Sequence, residues 1–130
     1  MCKKKKNVDI ILPKRALTNV DINKYVKKLQ IPYFRGVYML DTLPVRPLSR
    51  ESAIVNLDVS RGPGTHWVAY KKRGNKVLYF DSFGDLRPPL DLMRYLNQAE
   101  IQYNTKRYQS FDSINCGHLC LRFLHNKNGI

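Results

Sequence analysis

The residue pair Cys116-Gly117 stands where an apolar helical period begins, carried on by Leu119, Cys120, Phe123 and Leu124. A thiol at a helix N-terminus is favoured as thiolate by the N–H groups and dipole there. Glycine at the next position removes a side chain beside the sulfur. Taken alone, the pair reads more readily as a buried structural cysteine. A nucleophilic cysteine needs a base, and the chain has three histidines. His118 lies two residues on, about 200° around the helix, and His125 again falls near the opposite side. His66, distant in sequence and at the start of an apolar run, is the better candidate. A base needs a group to orient its ring, and Asp81 is the natural one. A two-residue Gly74-Asn75 turn would put His66 opposite Phe83, with Asp81 a diagonal neighbour on the same face. A three-residue turn would put them on opposite faces. Alone, Asp81 also reads as a turn former before Ser82 and Gly84. Acyl transfer needs oxyanion donors as well, for which the Cys116 N–H and the Gln109 side-chain amide are available. Alone, Gln109 is an ordinary polar residue.

These positions need elements to bring them together. Thr18 and Asp21 form a capping box before a short helix, roughly 19 to 29, whose apolar face is approximated by Val20, Tyr25, Val26 and Leu29. Residues 32 to 38 are aromatic with an internal glycine and read as an irregular segment or short strand. Residues 41 to 51 hold two prolines and four charges and read as loop. A strand over 52 to 57 and a hairpin over 66 to 70 and 77 to 81 follow. Both faces of the hairpin strands are apolar, so it should be central and covered on both sides. Pro88-Pro89, then Leu90, Met93, Tyr95 and Leu96, predict a helix of about three turns. Residues 100 to 103 suggest another strand. The last helix starts at 115 or 116 and should end at Asn128-Gly129. The class expected is α+β, a central and mostly antiparallel sheet packed against the cysteine-bearing helix. A basic tail over 1–16 would precede one domain over 17–130.

The chain has 130 residues, 23 Lys+Arg against 10 Asp+Glu, and a net charge of +13. Hydrophobic content of 43% argues against a disordered basic tail as the whole molecule. No stretch approaches the roughly 18 apolar residues of a membrane span, and no secretory signal is visible. Three cysteines argue against a disulfide-stapled secreted domain and for a reducing, intracellular setting. Residues 1–30 carry nine basic residues against two acidic ones. The block Lys3, Lys4, Lys5 and Lys6 reads equally as a nuclear-localisation or nucleic-acid patch and as a solvated tail. Lys71, Lys72 and Arg73, beside the hairpin turn, are further candidate nucleic-acid contacts. With no zinc-ligand spacing and no nucleic-acid-binding fold signature, sequence-independent binding is expected. No metal site is expected.

In combination these motifs resemble a known family. Gly64-Thr65-His66-Trp67-Val68-Ala69-Tyr70, then Phe80-Asp81-Ser82-Phe83-Gly84, then Gln109 ahead of Cys116-Gly117, look like the adenovirus endopeptidase (adenain) family, which shares a clan with the SUMO-specific proteases. Residues 32 to 38 are similar to its N-terminal region. The wording Arg87-Pro88-Pro89 and Asn115-Cys116-Gly117-His118-Leu119-Cys120-Leu121 is closest to adenain-like proteases of Maverick/Polinton elements and related DNA viruses. The resemblance implies a papain-like, Ulp–adenain arrangement. It implies Cys116 as nucleophile, His66 as general base, Asp81 as third triad member, Gln109 as oxyanion donor and Trp67 packed beside the site. The implied reaction is peptide hydrolysis through a thioester, and the implied substrates are capsid or virion precursors, in the host nucleus or the virion. DNA, an activating peptide, or both are implied cofactors. Three features depart from the family: Asp81 stands where adenoviral enzymes carry Glu, the chain ends soon after the cysteine-bearing helix, and the family's cofactor-linking cysteine has no assigned counterpart. The competing expectations are a ubiquitin/SUMO-type isopeptidase of the same clan and a basic DNA-binding virion protein with a vestigial site.

Overall fold

The computed structural model describes residues 11–59, 66–84, 86–97, 99–107 and 115–126. Helix α1 (Asn19–Leu29) starts at the expected capping box: Asp21 N–H donates to Thr18 Oγ1 at 3.2 Å, and Thr18 N–H donates to Asp21 Oδ2 at 2.9 Å. It ends in a Schellman motif, with Gln30 left-handed (φ 55°) and the Gln30 and Ile31 N–H groups on the Lys27 and Val26 carbonyls. Its buried residues are Ile22, Tyr25 and Val26. Val20, expected on that face, is 71% exposed. Ile22 takes its place because 22, 25, 26 and 29 follow the i, i+3, i+4, i+7 spacing, whereas Val20 lies about 120° away from Val26.

Five strands follow: β1 (Phe34–Met39), β2 (Arg50–Asn56), β3 (Trp67–Arg73), β4 (Lys76–Phe80) and β5 (Glu100–Tyr103), adjacent in that order. The central pairs β2–β3 and β3–β4 are antiparallel, as expected, but both outer pairs are parallel. The expectation of a mostly antiparallel sheet thus holds only at the centre. Parallel neighbours need a crossover, and residues 40–49 and helix α2 (Leu90–Leu96) supply the two. The irregularity of the aromatic segment is a register shift between Phe34 and Gly36. Helix α2 is shorter than three turns. It buries Leu92, Tyr95 and Leu96, an i, i+3, i+4 set, and leaves the expected Leu90 and Met93 exposed at 60% and 40%. Helix α3 (Cys116–His125) closes the described fold; the expected stop at Asn128-Gly129 lies outside the described residues.

The sheet is covered on both faces. Ile54, Trp67, Ala69 and Phe80 pack with α1 and α3 on one side, while Ala53, Val55, Val68, Tyr70, Val77 and Tyr79 pack with α2 on the other. Successive strand residues alternate faces, so a strand apolar on both faces must be sandwiched. Among the described residues, no helix is long and apolar enough to cross a membrane.

Candidate active site

The start of β3, the end of β4 and the start of α3 meet at one end of the sheet. The hairpin has the two-residue turn: Arg73 pairs with Lys76, Tyr70 with Tyr79 and Ala69 with Phe80. Counting on, His66 falls opposite Phe83, and their rings stack at 4.2 Å between centroids with 3° between planes. Asp81 then lies on the side of His66, and His66 Nε2 meets Asp81 Oδ1 at 2.8 Å. The Asp81 carboxylate is almost wholly buried. Several bonds hold it in place. Phe83 N–H donates to its Oδ1 at 3.0 Å. Asn104 clamps the Asp81 backbone, accepting from its N–H at 2.9 Å and donating to its carbonyl at 2.8 Å. Gly84 N–H donates to the same carbonyl at 2.9 Å. Gly84 has φ +78°, and an added Cβ would lie 2.6 Å from the Lys106 carbonyl, so the turn aiming Asp81 requires glycine there.

Cys116 is the first residue of α3, with Asn115 as N-cap. Trp67 N–H points at Cys116 Sγ at 3.5 Å, and the Trp67 indole N–H donates to the Leu17 carbonyl at 3.0 Å. A Cβ on Gly117 would sit 3.1 Å from Leu17 and 3.3 Å from the Trp67 ring, so the bare backbone lets both approach the helix start. Burial alone pushes the Cys116 thiol up; hydrogen bonds from His66 and from the Trp67 and Gly117 N–H groups, with the charge of His66, outweigh it and hold the thiol below its ordinary value. Burial likewise pulls the His66 imidazole down, but Asp81 and Cys116 push it up to about 9. The two groups titrate as a pair, and both directions favour thiolate beside imidazolium over the neutral pair. With Nε2 on Asp81, Nδ1 is the ring nitrogen left for the sulfur.

The structure thus brings Cys116, His66, Asp81, Trp67 and Gly117 together. Gln109 and Lys3, Lys4, Lys5 and Lys6 lie outside the described residues. Lys71, Lys72 and Arg73 lie at the far end of β3 and do not form one patch. Lys72 is buried, with Nζ donating to the Leu48 carbonyl at 2.8 Å, because alternation turns it to the opposite face from Lys71 and Arg73. His118 serves the fold, its Nε2 on the Pro13 carbonyl at 2.6 Å. Cys120 is fully buried with its thiol pushed well up by burial, as a core residue should be. Two supporting residues were not singled out as functional from sequence. Phe83 was marked only by its register position, and Asn104 by nothing local, since its role depends on β5 lying beside β4.

Stacking fixes the imidazole plane, and aromatic pairs of this kind are worth about 0.5–1.5 kcal/mol. Phe83→Ala is therefore expected to slow iodoacetamide alkylation of Cys116 at neutral pH by roughly two- to tenfold. The pH midpoint of that alkylation should move upward, and stopped-flow alkylation with mass detection checks both.

No family model matches the sequence. The chain is 32% identical over 87 residues, 64% of its length, to a cysteine protease of African swine fever virus, and spans 30% of that relative's length. The crystal structure of the African swine fever virus protease superposes with a TM-score of 0.57 at 17% identity, over 88% of this chain and 58% of that one. The SUMO protease Ulp1, solved with its catalytic cysteine oxidised to a sulfinic acid, gives a TM-score of 0.56 at 13% identity, over 87% of this chain and 66% of that one. The chain has the α+β, papain-like fold of these proteases.

Proposed function

We propose that the protein is a cysteine endopeptidase. One observation carries the reading: the His66 ring bridges a buried carboxylate and a thiol at a helix N-terminus, with each charge stabilising the other. In the proposed reaction the Cys116 thiolate attacks the scissile carbonyl carbon. The C–S bond forms and the carbonyl electrons move onto oxygen, which the Cys116 N–H and the Gln109 side chain would receive. The imidazolium of His66 gives its proton to the departing amine as the C–N bond breaks, leaving a thioester. His66, now neutral, takes a proton from water, which attacks the thioester; the acid product leaves and the thiolate returns. Asp81 keeps the imidazole oriented and stabilises its charged form.

The motif wording supports a maturation protease of a viral or Maverick/Polinton-type element acting on capsid precursors in the nucleus or virion. A charge of +13 suits a sequence-independent nucleic-acid cofactor, and an activating peptide remains part of the proposal. The likeness to Ulp1 favours one second reading, an isopeptidase acting on ubiquitin-like proteins. Assembly of the triad speaks against a vestigial site on a DNA-binding protein.

A peptide probe ending in a glycine electrophile tests the reading, with and without duplex DNA. A covalent adduct on Cys116, absent from Cys116→Ala, is expected by intact-mass spectrometry, and DNA should raise its rate. No adduct above the Cys116→Ala background under either condition contradicts the reading. Labelling only by a ubiquitin- or SUMO-sized probe transfers it to the isopeptidase.

A further inference from the structure

The far end of β3 carries a second constellation. The β2–β3 register sets Arg50 opposite Arg73 and Ser52 opposite Lys71, so all four face one side of the sheet. On that side, between the C-terminal ends of α1 and α3, lies an open cavity of about 350 Å³. Arg50, Lys71 and His125 supply cationic or basic lining; Leu29, Pro32 and Leu124 supply aliphatic walls. Glu51 also borders the cavity, but alternation turns its carboxylate to the opposite face of the sheet, where each oxygen already accepts two hydrogen bonds from the protein.

At the rim, Tyr33 is left-handed at φ 57°, a conformation that costs a bulky L-residue about 1–2 kcal/mol. The Tyr33 carbonyl accepts the Ser52 N–H at 2.9 Å, which holds the strained residue in place. Tyr33 is 58% exposed, and the Arg50 guanidinium carbon lies over its ring, 4.3 Å from the centroid. The cation–π contact restrains the guanidinium, whose N–H groups can pair with a carboxylate. Lys71 Nζ is anchored on the Asn126 carbonyl at 2.6 Å and lies 4.8 Å over the Phe123 ring. Backbone strain of the kind held at Tyr33 clusters at ligand-binding and switch sites.

We infer that this cavity is an exosite for a peptide segment in which a carboxylate side chain neighbours an aliphatic one. The carboxylate meets Arg50 and Lys71, and the aliphatic group covers Leu29, Pro32 and Leu124. A sugar-phosphate chain has no branched aliphatic side chain for those walls, and the volume admits one or two side chains rather than a duplex edge. The cavity is separated from His66 by roughly 17 Å of strand, so it would hold a protein away from the bond being cut. Its role as an exosite rests on the peptidase reading; peptide binding itself does not, and is measured without cleavage.

The test uses fluorescence anisotropy on the full chain at physiological salt. The probes are an acetylated, amidated nonapeptide carrying Leu-Glu-Asp-Leu, its Gln/Asn counterpart, and a nine-nucleotide single-stranded thymidine oligomer. The acidic peptide should bind at least about tenfold more tightly than its amide counterpart. Arg50→Gln and Lys71→Gln should each weaken it about tenfold or more, while Lys14→Gln, the same charge change elsewhere, should leave it unaltered. Equal weakening by Lys14→Gln would assign the binding to diffuse charge and overturn the inference. So would no detectable binding of the acidic peptide, or Arg50-dependent binding of the oligomer alone.

Discussion

Cys116→Ala and His66→Ala variants are expected to remain folded and to lose peptide cleavage by at least about 10³-fold each, with the double variant no worse than either alone. Groups that act as a unit show this non-additivity, because removing either one ends the thiolate–imidazolium pair. The structure states the dependence physically. Burial pushes the Cys116 thiol up, and only the His66 hydrogen bond and charge, helped by two backbone N–H groups, bring it below its ordinary value. Without His66 the burial cost remains, opposed only by the Trp67 and Gly117 N–H groups, and the balance shifts toward the neutral thiol. Asp81→Asn should cost less than His66→Ala, since the ring stays stacked on Phe83 but loses the carboxylate that favours its charged form. Cleavage assays on a peptide found to be a substrate, with circular dichroism as the folding control, check all four variants.

Glu51→Ala is expected to destabilise the protein by about 3–5 kcal/mol, a large share of the 5–15 kcal/mol typical of a domain. The Glu51 side chain is fully buried. Its Oε1 accepts from Arg35 at 2.9 Å and from the Leu48 N–H at 2.7 Å; its Oε2 accepts from the Tyr70 and Tyr95 hydroxyls at 2.6 and 2.7 Å. One carboxylate therefore ties β1, β2, β3 and α2 together. Removing it strands a partly buried guanidinium and two phenols, and that orphaning sets the cost. Burial pushes the Glu51 carboxyl up, but the hydrogen bonds from the Leu48 N–H, Tyr70, Tyr95 and Arg35 pull it below its usual value. Stability from a depressed carboxyl is present above its unfolded pKa, about 4.3, and is lost as pH falls through the lower folded value. The gap between wild type and Glu51→Ala should thus narrow on acidification below about pH 4. Thermal melts at pH 7 and pH 3.5 measure both, with a difference in midpoint on the order of 10–20 °C expected at pH 7.

The site was more legible in the sequence than parts of the fold around it. A two-residue turn carries its register outward along both strands, so once Gly74-Asn75 is that turn, as the Arg73–Lys76 pair shows, Asp81 falls beside His66; a three-residue turn would have parted them. The capping box at Thr18 and Asp21 located α1 in the same local way. Helix faces were harder. Val20, Leu90 and Met93 are apolar yet exposed, because spacing relative to the true partners, Ile22 and Leu92, decides which residue turns inward. Glu51 was hidden for a different reason. An acid after two prolines reads as loop, and nothing local announces four donors arriving from Arg35, Leu48, Tyr70 and Tyr95. Asn104 was equally silent, since its role depends on two strands distant in sequence becoming neighbours. Parallel outer strands follow from the path of the crossovers, which residue periodicity does not encode.

The central claim is that His66 holds Cys116 as thiolate, and the pH dependence of Cys116 alkylation tests it most directly. Iodoacetamide rates from pH 5 to 10 would be measured for wild type and His66→Ala, with modification at Cys116 followed by mass spectrometry. The wild-type rate should be substantial at pH 7 and change again near pH 9, where His66 loses its proton. In His66→Ala the rate should be at least about tenfold lower at pH 7 and rise only at or above the ordinary thiol range near 8.5. Superimposable profiles would show that the sulfur does not depend on the imidazole, and would contradict the account.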